Sequence, residues 1–446
     1  MLPSCYKSMS TIPPITLSYI KEKWSHVGFQ KYLQNTGWMF FGRFFILGVS
    51  FFMGIYIARY LGPSNYGLLA YVTSFVGLFS FLASFGIDSI VSREIIKDHS
   101  KKDELIGTAF YIKIIGSFIA IATVFIVSLF TTKDLFTLGL IWVFSLTFIP
   151  QAFNIIDIYF QSQVLSKKTV IAQITANIIS TLLKILVIIL GKGIFWLTVI
   201  FIIEASVYAF ILLYSFRKIG NHIRDWKFNT VVAKSLLKDS WPLILSGISF
   251  LLYVKIDQVM IKNMLGNEQA GIYAVAVKLS EVWYLIPVIV CTSLFPSIVQ
   301  SMTTSKELFE KRMKKLYSLM IWPLFAIAAF ITIFAYPIIK ILFGMAYIES
   351  VTSLRIYVWA GIFISLSIAI GQYLVASNLT KISFYNNLVG AITNIMLNIL
   401  LIPKIGIRGA AIATVISYAT ATFAVFLFKD SRAQGFLVLK AVLFWK

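Results

Sequence analysis

The sequence predicts an all-α polytopic membrane protein, with twelve transmembrane helices in two six-helix lobes related as a parallel pseudo-two-fold repeat. Composition, long apolar runs and one repeated turn carry that prediction. Of the 446 residues, 59% are hydrophobic and 13% charged, more apolar side chain than a water-soluble fold can hide. The apolar runs are continuous rather than alternating, so they read as helices and not as barrel strands. Each approaches or exceeds the roughly 20 residues that a helix needs to cross a bilayer. The turn Ala58-Arg59-Tyr60-Leu61-Gly62-Pro63-Ser64-Asn65-Tyr66-Gly67 follows the first run. A weaker copy, Met264-Leu265-Gly266-Asn267-Glu268-Gln269-Ala270-Gly271-Ile272-Tyr273-Ala274, follows the seventh.

In chain order, residues 1–34 form a leader without the continuous apolar core of a signal peptide, and with Pro3, Pro13 and Pro14. Within it, 17–34 reads either as a basic surface helix with Trp24 and Phe29 dipping into the membrane or as an unstructured extension. The expected spans are 36–58, 66–92, 108–130, 137–162, 169–190 and 194–216, making an N-lobe over 35–216. A polar linker, 217–240, precedes 241–264, 271–297, 314–335, 353–377, 382–402 and 407–428, which make a C-lobe over 241–428; 429–446 is a tail. Six spans, an even number, separate the two Leu-Gly turns. Both halves therefore enter the membrane in the same direction, as parallel repeats do, and leave a cleft between them.

Lys and Arg cluster on one side of this topology. Arg93, Lys97, Lys101 and Lys102 follow the second span, Arg217, Lys218, Arg224, Lys227, Lys234 and Lys238 the sixth, and Lys306, Lys311, Arg312, Lys314 and Lys315 the eighth. The positive-inside rule puts that side, and with it both termini, in the cytoplasm. The net charge of +21 thus serves orientation, and no nucleic-acid partner is expected.

Several charges fall inside spans: Arg43, Lys113, Lys184, Lys255, Lys278 and Arg355, with Asp88, Asp157, Glu204, Asp257 and Glu281. At the centre of a lipid-facing helix each would cost about 2.5–3.5 kcal/mol on insertion scales. Two arrangements avoid that cost: ion pairs between helices, or a hydrated cavity. A cavity with fixed cations suits a phosphate or pyrophosphate head, with Arg43, Lys113, Lys255, Lys278 and Arg355 as candidate substrate-binding bases. The acids nearly balance the bases, which leaves Asp257, Glu204 and Glu281 as candidate sites for a coupling proton or cation. Asp88 and Arg93 stand at the expected cytoplasmic mouth. Ser246, Ser249, Tyr253 and Asp257 share a face of the seventh span; Asn387, Asn394 and Asn398 share one on the eleventh.

Catalytic signatures are missing. There is no phosphate-binding G-x-x-x-x-G-K-[ST] loop, no G-x-S-x-G, no H-E-x-x-H and no His within a span. Cys5 and Cys291 form no framework, and no cofactor or metal site is indicated. No expected outer loop is long enough to hold a folded domain. Transport is the expected activity, with a membrane glycan polymerase or acyltransferase as the alternative of another class.

Four blocks closely resemble the start of Wzx-type polysaccharide flippases: Asn35-Thr36-x-Trp38, Ala58-Arg59-Tyr60-Leu61-Gly62-Pro63-x-x-Tyr66-Gly67, Ser74-Phe75-Val76-x-Leu78-Phe79 and Gly86-x-Asp88-x-Ile90-Val91-x-Arg93-Glu94-Ile95. Asp257-Gln258-Val259-Met260-Ile261 and Ile402-Pro403-x-x-Gly406-Ile407-x-Gly409-Ala410-Ala411-x-Ala413-Thr414 look similar to the family's second half, and are shared more loosely with multidrug exporters and lipid II flippases. The resemblance implies a MATE-like fold alternating between inward- and outward-open forms in a bacterial inner membrane. It implies movement of an undecaprenyl-pyrophosphate-linked oligosaccharide, such as a lipopolysaccharide O-antigen unit, to the periplasmic leaflet, driven by a proton or cation gradient. The implied partners are that lipid-linked oligosaccharide, membrane lipids, and polysaccharide polymerase and chain-length machinery. The basic lumen positions it implies are Arg43, Lys255 and Lys278. A small-molecule or multidrug antiporter of the same fold is the alternative within transport.

Overall fold

The computed structural model describes residues 27–377 and 379–443. The expected surface helix over 17–34 falls largely outside the described residues. Among the described residues every regular element is a helix. The N-lobe comprises α1 (Val27–Gly77), α2 (Ser80–Ser84), α3 (Asp88–Lys97), α4 (Lys102–Thr131), α5 (Leu135–Ser145), α6 (Phe148–Gln151), α7 (Ile155–Ser162), α8 (Ser166–Ile189) and α9 (Ile194–Lys218). The C-lobe comprises α10 (Thr230–Leu265), α11 (Asn267–Glu281), α12 (Leu285–Thr304), α13 (Lys306–Leu342), α14 (Ser350–Tyr357), α15 (Ala360–Ala376), α16 (Thr380–Ile405), α17 (Ile407–Phe423) and α18 (Arg432–Leu443).

Among the described residues, 11 helical stretches are long and apolar enough to span a bilayer. The expected first span and the first part of the second fall in one of them, Gln34–Gly77, because helix resumes directly after a break at Gly62 (φ 68°, ψ 172°); the rest of the expected second span is broken into α2 and the start of α3. That backbone region is open essentially to glycine alone. Gly266 (φ 93°, ψ 178°) turns the chain in the same way in the C-lobe, so the repeated Leu-Gly pair is a repeated backbone conformation. The fourth expected span is broken around Pro150 into α5, α6, a short 3₁₀ turn and α7. Proline removes a helix hydrogen bond and crowds the preceding turn.

Polar termini set the helix starts. Asp134 accepts hydrogen bonds from the Phe136 and Thr137 amides (3.3 and 3.0 Å) and caps α5. Asn229 accepts from Val231 and Val232 (2.7 and 3.3 Å) and caps α10. Both caps satisfy amides that a helix start leaves without partners.

The linker is strapped to the N-lobe. The Asn229 amide donates to Thr108 Oγ1 (3.0 Å) and that of Lys227 to the Asp103 carbonyl (3.3 Å). Trp226 packs with Phe110 and Phe216, and Ala233 and Leu236 of α10 join the same apolar cluster. α10 therefore begins on the N-lobe and ends in the C-lobe. At the last helix pair, Gly409 of α17 lies against Leu401 and Gly390 of α16 against Ala421, the close backbone approach that small residues permit in lipid.

Candidate functional site

The two lobes meet at the end that carries the Leu-Gly turns. A Cβ built on Gly67 would lie 1.8 Å from the Asn267 carbonyl oxygen, and one on Gly271 1.9 Å from that of Pro63. One apolar cluster crosses the junction: Ala58, Tyr71, Val72 and Val76 from α1, with Ile261, Tyr273 and Val275 from α10 and α11. The Tyr347 hydroxyl donates to the Ala58 carbonyl at 2.6 Å, and Arg59 donates to the Ile341 carbonyl. Lys262 of α10 reaches Thr132 Oγ1 (3.1 Å), with its ammonium 4.4 Å from the centre of the Tyr71 ring.

Away from this closed end the lobes part around a cavity in two connected portions. The inner portion, about 490 Å³, is lined by Ser50, Gly54, Lys184 and Glu204 from the N-lobe and Lys255, Lys278 and Glu281 from the C-lobe. The second portion, about 680 Å³, contains Arg43, Gln151, Asn154, Gln173 and Tyr208, and shares Ser50, Asn177, Phe201 and Glu204 with the first. Arg43 and Gly54 stand eleven residues apart on α1, roughly 16 Å along the helix axis, so the polar lining extends from the closed end toward the basic side.

The lining is only partly neutralised. Glu204 pairs with Lys184 (3.1 Å) and accepts from the Ser180 hydroxyl; Glu281 accepts from the Tyr357 hydroxyl at 3.2 Å. Lys278 turns from Glu281, three residues on, and reaches across the cleft to α1. Its ammonium lies 3.4 Å from the Ser50 carbonyl oxygen, in the space that a side chain on Gly54 would fill.

The structure thus brings Arg43, Lys255, Lys278, Glu204 and Glu281 to one cavity and places the other expected site residues elsewhere. Lys113 is buried and pairs with Asp88 at 2.5 Å within the N-lobe. Arg355 is exposed on α14 and donates to the Thr332 carbonyl at 3.1 Å. Arg93 pairs with Glu94 (2.9 Å) and with Asp239, in the third turn of α10 (3.2 Å). Lys97 and Arg93 beside Glu94 hold its carboxyl below the usual glutamate range. Lys184 had no assigned role, and Asn177 and Tyr208 carried no signal that a single sequence offers.

Asp257 lies outside the cavity lining, buried inside the C-lobe at 3% exposure. Its carboxylate accepts from Asn398 Nδ2 (2.6 Å), the Tyr273 hydroxyl (3.0 Å) and the Thr414 hydroxyl, whose oxygen also lies 2.9 Å from the Ala410 carbonyl oxygen. Asn398 Nδ2 also reaches Asn394 Oδ1 at 3.0 Å. Asn398 Oδ1, buried, has no hydrogen-bond partner among the described residues. Among the described residues no ion pair reaches Asp257, and no three His, Cys, Asp or Glu side chains gather closely enough to hold a metal ion.

Two helical lobes, closed at one end over a charged cavity, define a multi-pass membrane protein. Solved structures with this fold include the lipid II flippase MurJ in an inward closed conformation (TM-score 0.70, 17% identity, 92% of this chain and 91% of that one). An inward-facing multidrug resistance MATE family transporter of the MOP superfamily is also similar (TM-score 0.63, 15% identity, 89% and 95%). The chain belongs to the polysaccharide biosynthesis protein family, which it matches over residues 32–302. A probable low-salt glycan biosynthesis flippase of Haloferax volcanii is 24% identical over 406 residues, 86% of this chain and 80% of that protein.

Proposed function

We propose that the protein is a flippase that carries a polyprenyl-pyrophosphate-linked oligosaccharide from the cytoplasmic to the outer leaflet by alternating access, as a transporter and not an enzyme. The observation that carries this reading is the composition of the inter-lobe cavity: Arg43, Lys184, Lys255 and Lys278 against Glu204 and Glu281, drawn from both lobes. An excess of fixed cations replaces the water that a pyrophosphate loses on leaving the bulk. The polar side chains along α1 and α8 offer hydrogen bonds to sugar hydroxyls. Membership of a polysaccharide biosynthesis family and the flippase relative support the substrate class. The carrier to test first is undecaprenyl, with an O-antigen-type repeat unit, in a bacterial inner membrane with both termini inside.

Asp257 is the proposed coupling site. A carboxylate held by neutral donors, away from water, calls for a counter-charge, and a proton or a small alkali cation supplies it. Asn398 Oδ1, left without a partner, is a ready oxygen donor. The gradient then drives the cycle by filling and emptying this site.

The test is reconstitution. Vesicles are loaded with fluorescent polyprenyl-pyrophosphate-oligosaccharide in one leaflet, and its arrival in the other is read with a membrane-impermeant glycosidase. Flipping at the wild-type rate by both Arg43→Ala and Lys278→Ala would remove the cationic cavity as the substrate site. Export of cationic drugs without glycolipid movement would favour a multidrug antiporter.

A further inference from the structure

A second cavity lies outside the inter-lobe cleft. It measures about 900 Å³ and, among the described residues, is lined by α13 and α18. On α13 the lining runs Glu307, Glu310, Lys311, Lys314, Lys315, Ser318, Leu319, Trp322 and Pro323. That spacing of three and four keeps one face of the helix toward the groove. The face is graded along its length: charged at the helix start, then a serine, then apolar, with Lys311 and Trp322 roughly 16 Å apart. Opposite it stand Leu437 and Lys440 of α18.

α18 shows which solvent the groove meets. Leu437, Val438 and Ala441 pack into the C-lobe core. On its other side Phe436, Leu439 and Val442 are exposed at 55, 42 and 46%. A helix with an apolar outer face beside a basic membrane-spanning helix lies at the boundary of the bilayer, and Trp322 is the residue type that favours that depth. The charged end sits at the start of α13, on the side where the chain's basic segments cluster.

We propose that this groove seats an anionic phospholipid of the leaflet on the basic side, its phosphate at Lys311, Lys315 and Lys440 and its acyl chains along Leu319, Trp322 and Pro323. Four lysines line it against two glutamates, which gives an anionic headgroup the advantage over a zwitterionic one. The apolar end excludes a free phosphate or nucleotide as the intended occupant. The site joins α18 to α13, so a bound lipid clamps the terminal helix to the C-lobe.

Native mass spectrometry of the delipidated full-length protein tests this, with phosphatidylglycerol and phosphatidylcholine of identical acyl chains added together. The expected result is at least fivefold more phosphatidylglycerol retained on the wild type. Lys311→Gln/Lys315→Gln/Lys440→Gln should bring retention to the phosphatidylcholine level. Lys167→Gln/Lys168→Gln/Lys218→Gln, which removes the same charge elsewhere on the surface, should not. The exposed single change Lys315→Glu gives the same readout should the triple variant fail to fold. Equal retention of the two lipids by the wild type, or unchanged selectivity in the groove variants, overturns the proposal. So does displacement of phosphatidylglycerol by an equal concentration of polyprenyl phosphate, which would assign the groove to the transported lipid.

Discussion

Gly67 and Gly271 meet backbone to backbone: a Cβ on Gly67 would stand 2.5 Å from the Gly271 amide nitrogen, and one on Gly271 2.9 Å from that of Gly67. In lipid, apolar burial gives little drive for helices to associate, so contact depends on close packing. The two glycines occupy equivalent places five residues after Gly62 and Gly266. The repeat thus supplies one half of the closure from each lobe.

Gly67→Val is expected to hold the protein open at this end. The added atoms would meet main-chain atoms of Asn267 and Gly271, which cannot rotate away. Overpacking typically costs about 1–3 kcal/mol, and the lobes can relieve it by separating. A cost near 1.4 kcal/mol shifts the closed-to-open ratio roughly tenfold. Double electron–electron resonance between labels at Lys133 and Glu268 should show the longer distance gaining population. An unchanged distribution would mean that the glycine contact does not set the closure.

Lys278 needs Gly54 as much as it needs its own charge. Gly54→Ala puts a methyl group 1.4 Å from the present position of the ammonium, so the lysine must leave its seat at the Ser50 carbonyl. Its initial flipping rate should fall toward that of Lys278→Ala. Losing a hydrogen bond to a charged group costs about 1.5–3 kcal/mol, a reduction of roughly ten- to a hundredfold. Gly48→Ala is the control on the same helix, since nothing lies within 4 Å of its Cβ position. Equal rates for the two alanine variants would dissociate Lys278 from transport.

Much of this was legible in the sequence, and the reason is physical. Apolar runs report spans directly, because lipid admits no other way to satisfy a backbone. Leu61-Gly62 and Leu265-Gly266 report turns, because their backbone conformation excludes other residues. Partnership between distant side chains leaves no such mark. Lys113 and Lys278 look alike in the chain, each a lone base in an apolar run. One is neutralised by Asp88 inside a lobe, and the other crosses the cleft. Gly409, Ala413, Ser417 and Ala421 recur every four residues in the sequence and read as a packing face, whereas the convergence of Asn398 and Thr414 on Asp257 depends on three helices that only the fold brings together.

Asp257→Asn should uncouple the cycle while keeping the fold. The asparagine oxygen can still accept from Thr414 and Tyr273, its Nδ2 can donate to Asn398 once that amide turns its oxygen inward, and removing an unpaired buried charge relieves its desolvation cost. The variant is expected to unfold at a temperature a few degrees higher in cation-free buffer. Its flipping rate should be lower and no longer respond to an imposed sodium or proton gradient. Tryptophan fluorescence during sodium titration separates the ions. A sodium response in the wild type that disappears in the variant identifies sodium; a pH response alone identifies the proton. Gradient-dependent flipping by the variant would exclude Asp257 as the coupling group.

Asp134 gives a pH dependence whose sign is fixed by its partners. The Thr137 hydroxyl, the Thr137 and Phe136 amides and the Lys262 charge hold its carboxyl below the usual aspartate range. A group depressed on folding contributes stability that is fully present above its unfolded pKa and is lost as pH falls through the folded one. The first turn of α5 should therefore fray as pH drops below about 4. Amide exchange at Phe136, Thr137 and Leu138, corrected for intrinsic rates, follows the change. Asp134→Asn keeps an N-cap acceptor and should flatten this pH dependence with little loss at neutral pH. Asp134→Ala should cost about 1 kcal/mol of local stability at neutral pH, seen as roughly fivefold faster exchange. Similar protection in wild type and Asp134→Ala at neutral pH would show that packing against α4, and not the cap, holds the start of α5.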